Sequence, residues 1–254
     1  MLTTIRAASV PARRIRAILA AAVLATGILV VPGPASGSDT PPPTGTAQVW
    51  IVHGIPGVTV DVCVDGTVVI EDFEPLEVFG PASLPSATYE VALTTGTCAS
   101  PIYATEVDTT LATYVLVATL DASANPDLVA FAVNGACTPP GEGRFQAAHA
   151  AGPTGPVTVR VDGTPVDTDL QYGEIATVAG PVGTFVLEVT RNAGAVVLLT
   201  GPVPLLEGVA LVSVVVPLSA GDPDLVEAVA FTVPVGVCTP PAPEPEPPTP
   251  RFTG

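Results

Sequence analysis

Lysine is absent from the 254 residues, and the eight basic residues are all arginine. Four of them, Arg6, Arg13, Arg14 and Arg16, precede an apolar run from Ile18 to Val31 and a Pro-Gly-Pro-Ala-Ser-Gly stretch. Basic, then apolar, then small residues is the layout of a secretory signal peptide, so residues 1–37 are expected to be removed on export. The remainder carries four arginines against 24 acidic residues. That excess repels nucleic-acid phosphates and anionic lipid, which argues against DNA, RNA and peripheral membrane binding. Histidine occurs twice and tryptophan once, and no C-x-x-C pair exists. No G-x-S-x-G, H-E-x-x-H, P-loop or G-x-G-x-x-G follows a suitable strand, so the common hydrolase, metalloprotease and nucleotide-binding signatures are missing. No stretch sustains a helical period.

What the chain does have is a repeat. The stretch His53–Gly66, HGIPGVTVDVCVDG, returns at His149 as HAAGPTGPVTVRVDG. Asp65-Gly66 matches Asp162-Gly163, Pro85–Tyr89 matches Pro181–Phe185, and Pro126-Asp127-Leu128 matches Pro223-Asp224-Leu225. Each copy closes on an apolar strand and Cys-Thr-Pro-Pro, at Cys137 and Cys238. The spacing is domain-sized, well beyond the roughly 20 to 50 residues of solenoid or propeller repeats, so two tandem domains are expected.

The order His, Pro, V-D-V-x-V-D-G and a P-x-G-T-Y-like turn resembles the bacterial domain of unknown function 4397, which occurs in secreted proteins. His53, Pro56, Asp61, Asp65 and Gly66 carry the likeness in the first copy; His149, Pro153, Asp162, Tyr172, Gly173 and Glu174 carry it in the second. Thr158 stands where the first copy has Asp61, so a role that needs Asp61 would be missing from the second domain. The resemblance implies architecture and an extracellular or cell-envelope location, with no established activity attached.

Val58 to Asp65 alternates strictly, its valines on one face, which is the pattern of a strand with one buried side. Asp65-Gly66 is a tight hairpin signal, because glycine takes the positive φ that a primed turn needs. Further strands are expected around 48–53, 67–70, 77–81, 88–94, 102–107, 114–120 and 128–133, with the same order in the second copy. Short, Val- and Thr-rich strands at turn-bounded intervals predict an all-β protein of two tandem immunoglobulin-like antiparallel β-sandwich domains. The expected boundaries are a stem over 38–46, a first domain over 47–138, a linker over 139–143, a second domain over 144–239 and an extended Pro-rich tail over 240–254. Val196–Leu218 is long enough to span a bilayer. Gly201, Pro202, Pro204 and Gly208 interrupt it, so two buried strands and a turn are expected, and no membrane span.

Four cysteines allow three pairings. Cys63 becomes Arg160 in the second copy and the Cys98 region becomes 192–195, so both are lost together, which points to a Cys63–Cys98 bond on the outward face of a strand. Cys137–Cys238 then follows, provided an even number of strands returns the second domain to the end where it began. An oxidising compartment favours these bonds over metal ligation.

His53 and His149 are the sharpest chemical candidates. Either could act as general base or metal ligand, or its ring could simply pack and bond a nearby carbonyl. Asp61, Asp65 and Asp162 are the other repeat-linked positions of interest. Asp61 and Asp65 could contribute to a calcium site, but six or more oxygens are required and the D-x-D-x-D-G spacing is absent. No catalytic, cofactor or metal set is assigned. Trp50 and Tyr172 are the aromatic residues that a sugar could use, and packing in a core is the favoured reading of Trp50. The function these observations favour is an exported, non-enzymatic structural or adhesive binding module for an unidentified cell-surface or extracellular partner. A secreted hydrolase built on His53 and a nearby carboxylate, and a carbohydrate- or peptide-binding module, are the alternatives.

Overall fold

The computed structural model describes residues 6–7, 45–110, 113–191 and 194–239. The expected signal peptide apart from residues 6–7, the expected stem before Gly45 and the expected tail over 240–254 lie outside them. After a two-residue β1 (Arg6–Ala7), the first domain contains β2 (Thr46–His53), β3 (Val60–Val64), β4 (Thr67–Phe73), β5 (Val78–Pro85), β6 (Thr88–Thr94), β7 (Tyr103–Asp108), β8 (Thr113–Leu120) and β9 (Pro126–Val133). The second contains β10 (Glu142–His149), β11 (Val157–Val161), β12 (Thr164–Leu170), β13 (Ile175–Pro181), β14 (Gly183–Arg191), β15 (Val196–Leu205), β16 (Val209–Pro217) and β17 (Val226–Pro234).

Both domains have the same topology. Sheet β5-β2-β8-β9 faces sheet β4-β3-β6-β7, and β13-β10-β16-β17 faces β12-β11-β14-β15, with β1 laid parallel on the outer edge of β17. The all-β sandwich is as expected, with one difference of detail. Among the described residues each domain has eight strands, and its first strand runs parallel to its seventh, β2 with β8 and β10 with β16. Val196–Leu218 forms β15 and β16, and among the described residues no helix is long and apolar enough to cross a membrane.

Three hydrophobic cores hold the molecule. One lies inside the first sandwich, between residues such as Val49, Ile51, Val62 and Leu93. A second lies inside the other sandwich, around Phe145, Val159, Leu187 and Leu199. The third lies between the domains: Trp50, Val52, Val115, Val117 and Phe131 meet Ala148, Val212, Val214, Val216 and Val229. The two independent cores expected from sequence are therefore supplemented by a shared one, and the molecule is a stack of four sheets.

This stacking explains the apolar runs. Strands β8 and β16 belong to sheets covered on both faces, so consecutive residues are buried, as in VALVSVVVP. An outer strand such as β7 has one covered face and alternates. A strand buried on both sides has no polar face to show.

The domains are related by a pseudo-twofold axis running along the strands. Pairing of His53 with Ala118 and of His149 with Val215 makes Thr119 equivalent to Val216. Gly54 lies against Val216, while its counterpart Ala150 accepts a hydrogen bond from Thr119 Oγ1. The same two positions thus meet reciprocally across the interface, as in an isologous dimer. A Cβ on Gly54 would sit 2.6 Å from Val216 Cγ1, and one on Gly152 would collide with the Asp121 carbonyl carbon. Glycine is required at both places by the closeness of the opposing domain.

Candidate functional site

In each domain β2/β10 and β8/β16 run the same way and the last strand runs back. The chain therefore enters and leaves each sandwich at one end, as eight strands require. Gly45, the inter-domain connection and Cys238 gather there. The histidines close β2 and β10 at the opposite end, where the loops 54–59, 74–77, 121–125, 150–156, 171–174 and 218–225 converge.

His53 and His149 are fully buried. His53 Nδ1 accepts a hydrogen bond from Ile55 N at 3.2 Å, which leaves Nε2 to donate to the Val58 carbonyl at 2.7 Å. His149 repeats this, Nδ1 accepting from Ala151 N at 3.4 Å and Nε2 donating to Gly155 O at 2.8 Å. Both imidazoles are neutral struts across the loop that follows their strand. Burial pushes each below its ordinary value, against the opposing effect of the carbonyl and, for His53, of Glu77. Phe73 lies beside the His53 ring, with centroids 5.3 Å apart.

The neighbouring turn is also repeated. His53 N donates to Glu77 O and Leu76 N to His53 O; His149 N donates to Glu174 O and Gly173 N to His149 O. A glutamate side chain caps each turn, Glu77 Oε2 accepting from Glu74 N and Glu174 Oε2 from Gln171 N, both at 2.9 Å. Sequence reasoning placed Glu174 in the family pattern and gave neither glutamate this role; their separation of three residues from the capped amide is the signal.

The aspartates brace the backbone. Asp65 and Asp162, at φ 48° in their hairpins, accept hydrogen bonds from Glu90 N and Val186 N at 3.0 and 2.7 Å. Asp61 accepts from Asp72 N at 2.8 Å, whereas Thr158, its counterpart, donates to Thr168 O at 3.0 Å. The loss of Asp61 in the second domain is thus met by a different local bond. Among the described residues no three His, Cys, Asp or Glu side chains are grouped to hold a metal ion.

Both disulfides form as paired from the repeat, Cys63–Cys98 and Cys137–Cys238. Cys63 departs from expectation in its surroundings: it is fully buried, not a surface strap. It does point away from the sandwich core, but the segment carrying Cys98 folds over it. In the second domain Arg160 takes the place, pairing with Glu188 at 3.3 Å and lying 3.5 Å from where a Cβ on Gly194 would stand.

Trp50 is packed, but against the other domain. It faces out from its own sandwich, yet is 6 % exposed because it stacks on Phe231 of the other domain, with centroids 6.1 Å apart. Gln146, at the equivalent place on β10, is fully buried and bonds the backbone of Asn134 in the first domain. Trp50 is therefore closed to a sugar. Tyr172 is half-buried and donates to Asp127 Oδ2 at 2.7 Å across the domain boundary. Burial and the Asp127 charge raise the Tyr172 phenol well above its ordinary value. Burial and the same carboxylate also raise the Tyr103 phenol above its ordinary value. The repeated Pro-Asp-Leu is put to another use in the second domain, where Asp224 pairs with Arg191.

At the opposite end, Arg144 was not singled out by sequence. It is 7 % exposed and donates to the carbonyls of Asn134, Ala136 and Cys137, holding the connection between domains. Thr138 pairs with Gly236 and Cys238, and Glu207 accepts from Gly141 N at 2.7 Å. The Pro-Pro connection is thus hydrogen-bonded along its length.

No curated protein matches the chain. The family comparison agrees with the likeness read from the histidine, Asp-Gly and proline positions, and it begins in β2, covers the whole first domain and ends in β11. Residues 47–160 match the family model of DUF4397, a domain of unknown function.

Proposed function

We propose that the chain is an exported, non-enzymatic binding module of the bacterial cell envelope or its surroundings, acting as a rigid two-domain body that presents one end to a partner. The observation that carries this reading is the common position of the stem, the inter-domain connection and the C-terminal Cys238. Tethering through either the stem or the Pro-rich tail leaves the histidine end facing away. The histidines themselves support loops there, and each ring nitrogen is already engaged by backbone. A hydrolase using His53 would have to break that bracing. Sugar binding through Trp50 would require the domains to separate.

The test uses the fluorescently labelled secreted chain. Adherence to the producing cells, lost on substitution of several residues in the 121–125 and 218–225 loops, is the expected result, with no turnover of ester, glycoside or peptide substrates. Turnover that depends on His53 in an otherwise folded protein would overturn the reading in favour of the hydrolase.

A further inference from the structure

The segment after β9 contains Asn134-Gly135, exposed at the end where the domains are joined. Its surroundings are unusual in two respects. Asn134 Oδ1 accepts a hydrogen bond from Ala136 N at 3.1 Å, so the side-chain carbonyl is held over the following peptide and polarised. Arg144, whose guanidinium donates to Asn134 O at 2.8 Å and Ala136 O at 2.5 Å, is buried, and among the described residues no carboxylate pairs with it. A buried cation ordinarily has an anionic partner.

We propose that Asn134 is a self-modifying site, deamidated to aspartate in the folded protein. The Gly135 backbone nitrogen gives up its proton and attacks Asn134 Cγ. The oxyanion that forms is stabilised by the Ala136 N–H and the nearby guanidinium, an arrangement that favours charge developing at that position. The Cγ–Nδ2 bond then breaks and ammonia leaves, giving a five-membered succinimide. Water adds to the ring at Cγ, the bond from Cγ to Gly135 N breaks, and an aspartate side chain is left in place of the amide. Attack of water at the main-chain carbonyl would instead reroute the backbone as isoaspartate. The Ala136 N–H polarises the Cγ carbonyl toward water and the Arg144 guanidinium polarises the Asn134 main-chain carbonyl in the same way, so both products form. Gly135 offers no side chain to hinder ring closure, and the new carboxylate gives Arg144 its missing counter-ion. No oxidant or cofactor is needed.

Two other asparagines in the chain serve as internal references: Asn125 precedes Pro126, which has no N–H to attack with, and Asn192 precedes alanine. The test is peptide mapping of the full secreted chain, folded and in denaturant, over time at mildly alkaline pH. Conversion at Asn134, read as a gain of about 1 Da for amide to acid, is expected to run faster in the folded chain than in the denatured one, with aspartate and isoaspartate both formed. Gly135→Ala and Arg144→Gln should each slow it, and Arg144→Lys should restore most of the rate if Arg144→Gln fails to fold. An Asn134 that stays intact as long as Asn192, or converts faster once unfolded, would overturn the proposal.

Discussion

Trp50 and Phe231 stack across the boundary between the domains, 6.1 Å between ring centroids. Neither ring is in the core of its own sandwich, yet Trp50 is as buried as a core residue. The contact makes the outer face of one sheet in each domain into an inner face of the whole molecule.

Trp50→Ala should cost about 3 to 5 kcal/mol, the usual range for emptying a large aromatic site in a core. Since Trp50 is the only tryptophan, its emission in the wild-type protein reports on this interface alone. The expected result is a red shift of that emission with denaturant that coincides with loss of far-ultraviolet circular dichroism. A red shift well before the loss of β structure would show domains that part while still folded.

Removing Cys137–Cys238 by paired serine substitutions should lower stability by about 5 kcal/mol, as expected for a closed loop of roughly a hundred residues in the chain-entropy account. The bond joins repeat-equivalent residues, so it closes the whole second domain into a loop and ties its exit to that of the first. Denaturant unfolding of the oxidised and substituted proteins checks the difference.

In the second domain an ion pair stands where the first has a disulfide. Arg160 and Glu188 are both partly exposed, so Glu188→Gln should cost no more than about 1 kcal/mol. Paired loss of Cys63 and Cys98 should cost about 4 kcal/mol by the loop-closure estimate. Measured side by side, the two substitutions should differ several-fold.

The histidines predict the acid side of the stability profile. Both are buried and neutral, held below the ordinary 6.5, so the unfolded chain takes up protons first as pH falls. Their contribution is fully present above pH 6.5 and is lost as pH drops from there through the lowered folded values. Within that interval the slope is about 1.4 kcal/mol per pH unit for each histidine. Urea midpoints between about pH 7.5 and 5 should fall accordingly, ahead of most carboxylate titration. A flat profile there would mean that the rings stay accessible to protons in the folded state.

The outer sheets were legible in the sequence because one face of each is wet. Val58 to Asp65 alternates and turns at Asp-Gly, and β3, its hairpin and β4 follow. The inner sheets were harder to read, because contact on both sides removes the polar face that distinguishes a strand from any other apolar run. The pairing of domains was not legible at all, since it depends on Trp50 meeting a residue far along the chain. His53 and His149 could be recognised as positions that matter. Their role could not, because their partners are the carbonyls of Val58 and Gly155, and a carbonyl belongs to every residue. The disulfides were readable only because the repeat showed which cysteines vanish together.

The account stands on the two domains forming one body through the shared core. Differential scanning calorimetry of the oxidised chain tests this most directly. A single transition is predicted, with calorimetric and van't Hoff enthalpies equal, because neither domain can unfold without exposing the inner sheet of the other. Two resolved transitions, one for each domain, would contradict it and would return the molecule to two independent sandwiches on a tether.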